Sequence, residues 1–150
     1  MIYLAQKTTS IITKRRDIFP LRPELKSSNE TAIILNQDIK ISYKKLNSDI
    51  VFLASNLKRN TLSLIPVSNN YYTLVFYLAC LRAKSVPMLI EQNTKIEKLI
   101  NITKKFRPKY IFMKELTNCS ILDNYKKKEL KEFDYVYENK KLLSYEIDKK

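Results

Sequence analysis

Apolar residues recur at helical spacing in three stretches of this chain, and short β-branched or apolar runs separate them. Thr31 to Tyr43, "TAIILNQDIKISY", carries two such runs around Asn36-Gln37-Asp38, the signature of a hairpin. From Tyr43 to Lys58, Leu46, Ile50, Leu53, Ala54 and Leu57 fall on one helical face, with Ser42 as a candidate N-cap. This predicts an amphipathic helix lying on a sheet. "LSLIPVS" (Leu62 to Ser68) reads as a short buried strand that ends at Pro66 or sits at an edge there, since proline offers no N–H to a ladder. Asn69 or Asn70 can cap a helix from Tyr71 to Ala83, which is apolar nearly all round and therefore predicted to be deeply buried.

"VPMLI" (Val86 to Ile90) is the next strand. Thr94 and Glu97 have the spacing of a capping box for a helix whose face carries Ile96, Leu99, Ile100, Thr103 and Phe106. Arg107-Pro108 stops that helix, and "YIFM" (Tyr110 to Met113) is another strand. Helices alternating with short apolar strands predict βαβ units and a parallel sheet covered on both faces. After Lys114 the pattern changes to a polar, part-helical stretch, "ELTNCSILDNYKKKELKEF", followed by candidate strands "YVYE" (Tyr135 to Glu138) and "LLSYEI" (Leu142 to Ile147).

Composition narrows the class. The 150 residues are 45% hydrophobic and 29% charged, a globular profile, and one domain of this length can bury a sizeable core. The net charge is +13, divided between +7 over Met1 to Thr94 (13 basic, 6 acidic) and +6 from Lys95 onward (15 basic, 9 acidic). So even a division along the chain predicts a solvated basic surface and no specific nucleic-acid site, with Lys126-Lys127-Lys128 as an exposed face.

Two features exclude chemistry. The chain contains no glycine, hence neither a P-loop nor a dinucleotide fingerprint, both of which need glycine for close approach to phosphate. It contains no histidine, which removes Ser-His and Cys-His pairs and most zinc catalysis. Cys80 and Cys119 have neither the number nor the spacing of a disulfide framework or metal site, and a reduced, cytoplasmic setting is expected. Asp38, Asp49 and Glu91 are isolated carboxylates, expected at the surface. Tyr71, Tyr72 and Tyr77 lie at helical spacing beside Leu and Val and are expected in the core, the alternative being a stacking platform. No segment approaches the apolar length of a membrane span, so no membrane partner is expected. The N-terminal stretch lacks a secretory apolar core and is expected to form an arm or helix over residues 1–28.

Lys84 presents a local puzzle. It stands where a buried helix turns into a strand, a place where the chain tends to go left-handed and glycine is usual. A left-handed Lys84 costs roughly 1 kcal/mol.

In this order the motifs resemble the N-terminal part of the AMP-forming, adenylate-forming superfamily of acyl-CoA synthetases, luciferases and peptide-synthetase adenylation domains. "ISYKKL" (Ile41 to Leu46) is similar to the first core motif, "LSLIPVSNNYYTLVFYLACLRA" to the following strand, turn and buried helix, and "LRAKSVPMLIE" (Leu81 to Glu91) to the second core motif with Lys84 in place of glycine. "TKIEKLINITKKFRPKYIFM" corresponds to the next helix and strand. The resemblance covers about Asn29 to Lys114 and more loosely the strands out to Ile147. It implies a three-layer α/β fold, a mostly parallel sheet flanked by helices, with residues 29–150 as an incomplete N-terminal subdomain. It also implies an enzyme that joins a carboxylate to ATP and passes the acyl group to a thiol or amine. In that family the phosphate loop, the magnesium-binding acid and the catalytic lysine lie in later segments. The resemblance therefore assigns this chain no catalytic, cofactor-binding or metal-binding residue, and ATP and magnesium belong to the full-length enzymes. Three readings follow: an N-terminal ligase fragment inactive by itself, one half of a split ligase completed in trans by the missing C-terminal part, or a stand-alone basic α/β module for an anionic partner.

Overall fold

A computed structural model describes residues 3–4, 28–35, 38–113, 124–130, 133 and 136–141. The first unit is a three-stranded antiparallel sheet of β1 (Tyr3–Leu4), β2 (Thr31–Leu35) and β3 (Ile39–Ser42), in that order. The expected hairpin is present: Leu35 pairs with Ile39 and Ile34 with Lys40, and a bulge between Thr31 and Ile33 shifts the register. Of the N-terminal arm, Tyr3 and Leu4 form the strand β1 against Ile34 and Ile33; residues 5–27 lie outside the described residues.

Helix α1 (Tyr43–Ser55) starts at Ser42, whose Oγ accepts from Lys45 N at 3.2 Å. It ends earlier than its apolar pattern. Leu57 keeps that pattern buried, but the Asn56 and Leu57 amides turn back to Leu53 and Ala54. Leu46, Ile50 and Leu53 face inward.

The main sheet has the order β5-β4-β6-β8-β7, from β4 (Leu62–Val67), β5 (Val86–Glu91), β6 (Tyr110–Phe112), β7 (Tyr125–Lys128) and β8 (Val136–Asn139). β4 is parallel to both β5 and β6, whereas β8 is antiparallel to β6 and to β7. Four of the five strands thus share one direction. Pro66 does not end β4; the strand runs to Val67, but pairing with β6 stops at Leu64, so Pro66 has a neighbour on one side alone.

Helix α2 (Tyr71–Ala83) connects β4 to β5, and Asn70 caps it, its Oδ1 accepting from Thr73 N at 2.8 Å. Only Tyr72 and Arg82 of this helix are exposed. Its end goes left-handed at Lys84 (φ 56°, ψ 35°). The Lys84 amide donates to Leu81 O at 3.2 Å and the Ser85 amide to Cys80 O at 2.9 Å, the paired bonds of a Schellman helix end.

Helix α3 (Ile96–Phe106) connects β5 to β6. The capping box does not form: Lys95 is the N-cap without a side-chain bond, and the Thr94 hydroxyl instead donates to Glu91 O, closing the turn after β5. The helix buries Leu99 and Thr103, while Ile96 and Phe106, expected on the buried face, are exposed. Arg107 ends it in a left-handed conformation (φ 45°) before Pro108.

Strand alternation splits the core into two layers. Ile65, Tyr110, Phe112 and Val136 face α1 and α2 in a large cluster with Ile50, Leu53, Val75, Phe76 and Ala79. Leu64, Ile111 and Tyr125 face the other way, toward Leu99. The result is the expected three-layer α/β arrangement. Beyond residue 114, Tyr125–Lys128 of the polar stretch forms strand β7, and the strand expected over Tyr135 to Glu138 is present as β8, Val136–Asn139, Tyr135 lying outside the described residues. "LLSYEI" lies outside the described residues, as does Cys119.

Candidate functional site

In a parallel sheet, ligand sites form where strands end at their carboxyl edge, because the loops there are free of ladder pairing. Here that edge is the turn from β4 into α2, Ser68-Asn69-Asn70. Its side chains are already engaged: Ser68 Oγ lies 2.9 Å from Thr73 Oγ1, and Asn70 Nδ2 donates to Ser68 Oγ. Beside it, Asp49 on α1 accepts from Lys45 Nζ at 2.8 Å and from the Tyr71 hydroxyl at 2.5 Å. Asp49 was expected at the surface; it is buried, held between α1 and α2 by donors on each. The Lys45–Asp49 spacing of four residues was the readable signal.

An aromatic wall extends from this turn into the core. Tyr71 and Tyr72 meet edge-on at 5.9 Å, Tyr72 meets Phe133 at 6.0 Å, and Phe76 stacks on Phe112 at 4.3 Å. Tyr71 and Tyr77 are half-buried, whereas Tyr72, expected in the core, is exposed. Asp38 and Glu91 are exposed as expected, and among the described residues neither joins a group of three or more His, Cys, Asp or Glu that could hold a metal.

At the opposite end of the sheet, where α2 returns into β5, hydroxyls form a buried chain. Ser85 Oγ donates to Thr61 O at 2.8 Å and accepts from Ser63 Oγ at 2.9 Å, while Thr61 Oγ1 donates to Lys58 O at 2.7 Å. Cys80 packs against these serines, and burial pushes its thiol up to about 12 despite the hydroxyls beside it. A thiol so protonated is a small apolar group rather than a nucleophile.

The third polar cluster centres on Glu138 of β8. Lys109, Lys140 and Lys128 approach its carboxylate at 3.4, 3.3 and 3.8 Å. Burial alone would raise the Glu138 carboxyl; the Lys140 hydrogen bond and the charges of Lys128, Lys140 and Lys109 overcome it, leaving the group below its ordinary value. Lys109 Nζ also donates to Asn139 O at 2.6 Å, and Lys128 Nζ to Asn56 O at 2.8 Å, tying β8 to β6 and β7 to the end of α1. Lys128 therefore departs from the exposed face expected for the lysine run; Lys126 and Lys127 keep to it. Its ammonium is lowered by burial, with repulsion from Lys140, Lys109 and Lys58 added and Glu138 opposing.

The chemistry these groups support is structural. Among the described residues no three His, Cys, Asp or Glu converge to hold a metal, and in the β4–α2 turn the side chains of Ser68, Asn70 and Thr73 bond within the turn.

The architecture has known counterparts. The Klebsiella oxytoca NpsA N-terminal subdomain in complex with 3-hydroxybenzoyl-AMSN matches with a TM-score of 0.53 at 17% identity, over 62% of this chain and 25% of that one. An artificially fused NpsA–ThdA adenylation–PCP di-domain from the same organism gives 0.53 at 19%, over 59% of this chain and 18% of that one. Apo MatB from Rhodopseudomonas palustris gives 0.52 at 23%, over 57% and 18%. The chain thus has the fold of the N-terminal part of such adenylation-domain structures and spans about a quarter or less of their length. No family model and no curated protein matches the sequence.

Proposed function

We propose that this chain is a scaffold segment of an adenylate-forming ligase, supplying the first α/β layers of the N-terminal subdomain to an enzyme that activates a carboxylic acid as its acyl-adenylate. The observation that carries this reading is the β4-α2-β5-α3-β6 unit with its left-handed Lys84 junction, on the fold of NpsA and MatB. NpsA N-terminal subdomain structures contain acyl-AMSN ligands such as 3-hydroxybenzoyl-AMSN. In this reading the groups that handle ATP, magnesium and the acyl substrate come from other segments, supplied in cis or by a second polypeptide.

The scaffold role has a physical basis. Adenylation depends on fixed donors and cations around the transferring phosphorus, and the polar side chains described above are turned to one another. What they do is hold helix ends and strand ends in place, a precondition for positioning a loop to within ångströms of a substrate.

The test is ATP–pyrophosphate exchange over a panel of carboxylates. The chain by itself gives no exchange above background. Exchange appears when it is mixed with the polypeptide encoded next to it, if that polypeptide carries a Ser/Thr/Gly-rich phosphate loop. Exchange by the isolated chain, or a phosphate-loop partner that neither binds it nor changes its activity in the mixture, overturns the proposal.

A further inference from the structure

The even division of charge along the sequence conceals a sharp division in space. Since β4, β5, β6 and β7 run one way and β8 the other, the loops before the first three and the loop after β8 meet at one edge of the sheet. Backbone hydrogen bonds lace these loops together: Asn60 N to Lys84 O at 3.0 Å, Lys109 N to Leu62 O at 2.7 Å, and Asn139 N to Lys109 O at 2.9 Å. They carry Lys84 ahead of β5, Lys58 and Arg59 ahead of β4, Arg107 ahead of β6, and Lys140 and Lys141 after β8, all exposed. Among the described residues the nearest acid along these segments is Glu138, already surrounded by Lys109, Lys128 and Lys140. Among the described residues the opposite edge has no comparable row: the loop after β4 is uncharged, and in the segment leaving β5 Glu91 offsets Lys95.

We infer that this amino-terminal edge is a docking surface for single-stranded nucleic acid, bound through its phosphates without sequence preference. Four adjacent strands at about 4.8 Å spacing set the cations in a row of about 15 Å, which suits an extended phosphate chain. An aromatic group stands beside the row: Phe106 precedes Arg107, the residue is 45% exposed, and Lys105 Nζ lies 5.2 Å from its ring centroid. A solvent-facing ring among cations is the arrangement on which an unpaired base stacks, the ring giving contact and the cations holding the backbone. A duplex is disfavoured because the row comprises loop ends in a line, and among the described residues no helix or ribbon projects from it to enter a groove.

Fluorescence anisotropy of the full chain with a labelled oligothymidylate of about twenty nucleotides tests this. With three or four phosphates neutralised, affinity falls about thirtyfold between about 50 and 200 mM NaCl. The triple substitution Lys58→Glu, Arg59→Glu, Lys141→Glu lowers affinity and flattens the log–log salt slope by about 2. A charge-matched control, Lys40→Glu, Lys95→Glu, Lys98→Glu, keeps the wild-type slope. Phe106→Ala weakens binding about fivefold or more at every salt concentration. Circular dichroism of each variant establishes that it is folded.

Equal losses in the edge and control triples reduce the effect to net charge and overturn the inference. So does absence of binding by the wild-type chain at low salt, or binding to vesicles of phosphatidylcholine and phosphatidylserine without binding to the oligonucleotide.

Discussion

The two faces of the main sheet are built to different standards. On one, α1 and α2 cover the strands with a continuous layer in which Ile50, Leu53, Val75 and Ala79 are fully buried. On the other, among the described residues, α3 is the helix that covers Leu64 and Ile111, through Leu99, while Ile96, Phe106 and Val86 are exposed. The polar clusters follow the same division. Val136 and Glu138 alternate with Tyr137 along β8, so Glu138 shares the side of Val136, toward α1, where Lys128 reaches Asn56. The difference teaches that hydrophobic pattern sets which side of an element is buried, while the number of elements packed there sets how much that burial contributes. It also suits a scaffold whose well-packed face fixes the β4–α2 and α2–β5 junctions.

The largest expected effect comes from cutting into the better face. Phe76 stacks on Phe112 and touches Phe133, and at 4% exposure it has no route to solvent. Phe76→Ala costs about 3–5 kcal/mol, read as a shift of the urea midpoint, and near-complete loss of folded protein is within that range. Leu99→Ala on the other face costs about 2 kcal/mol, since α3 can settle into the space from its open side. Equal losses at the two positions abolish the contrast between the faces.

Next comes the ion cluster. Replacing Glu138 by glutamine leaves Lys109 and Lys128 near a neutral partner, at an expected cost of about 2–3 kcal/mol, because an ion left unpaired inside a fold retains its desolvation penalty. The sign of the pH effect follows. The Glu138 carboxyl is held below its unfolded value of 4.5, so its contribution is present above that pH and is lost as pH falls through the native value. Glu138→Gln is therefore less acid-sensitive than the wild type, even though it is less stable at pH 7. Urea midpoints at pH 7 and in mild acid check both halves of the statement.

At the alkaline end the sign reverses. Burial raises Cys80 from 9.0 and Tyr110 from 10.0 to about 12 each. The native state thus holds more protons than the unfolded chain across that interval. Stability is full below pH 9 and falls as pH rises toward 12, by at most about 1.4 kcal/mol per pH unit and group. Cys80→Ala moves the onset of the decline from near pH 9 to near pH 10. An unchanged onset in chemical denaturation sinks the assignment.

Much of this division was legible in the residues. Helix α2 has the bounds its apolar run predicts, and Ser42 and Asn70 cap where their positions suggested. What misled was a local motif under tertiary pressure: Thr94 and Glu97 have capping-box spacing, but the turn leaving β5 takes the Thr94 hydroxyl for Glu91 O. The helical pattern of α3 likewise names a face without saying that Ile96 and Phe106 on it stay exposed. Clusters made by β-pairing were illegible, because Lys109 meets Glu138 only when β8 returns beside β6. The edge row of cations is hidden for the same reason, its members being drawn from four separate loops.

The smallest effect is the most local. Lys84, left-handed like Asn60 and Arg107 among the described residues, closes α2 onto the serine chain of Ser85, Ser63 and Thr61. Its side chain is exposed, so its replacement removes no buried contact. Glycine at this position relieves the steric cost of a left-handed lysine, roughly 1 kcal/mol, and gives part of it back because a glycine makes the unfolded chain more flexible. Lys84→Gly should therefore raise stability by about 0.5 kcal/mol. Lys84→Val, β-branched and intolerant of positive φ, should lower it by more than 1 kcal/mol on the order of local strain costs. If Lys84→Gly is instead clearly destabilising, the lysine side chain contributes something at this junction, and the row of cations at the sheet edge becomes the first place to look.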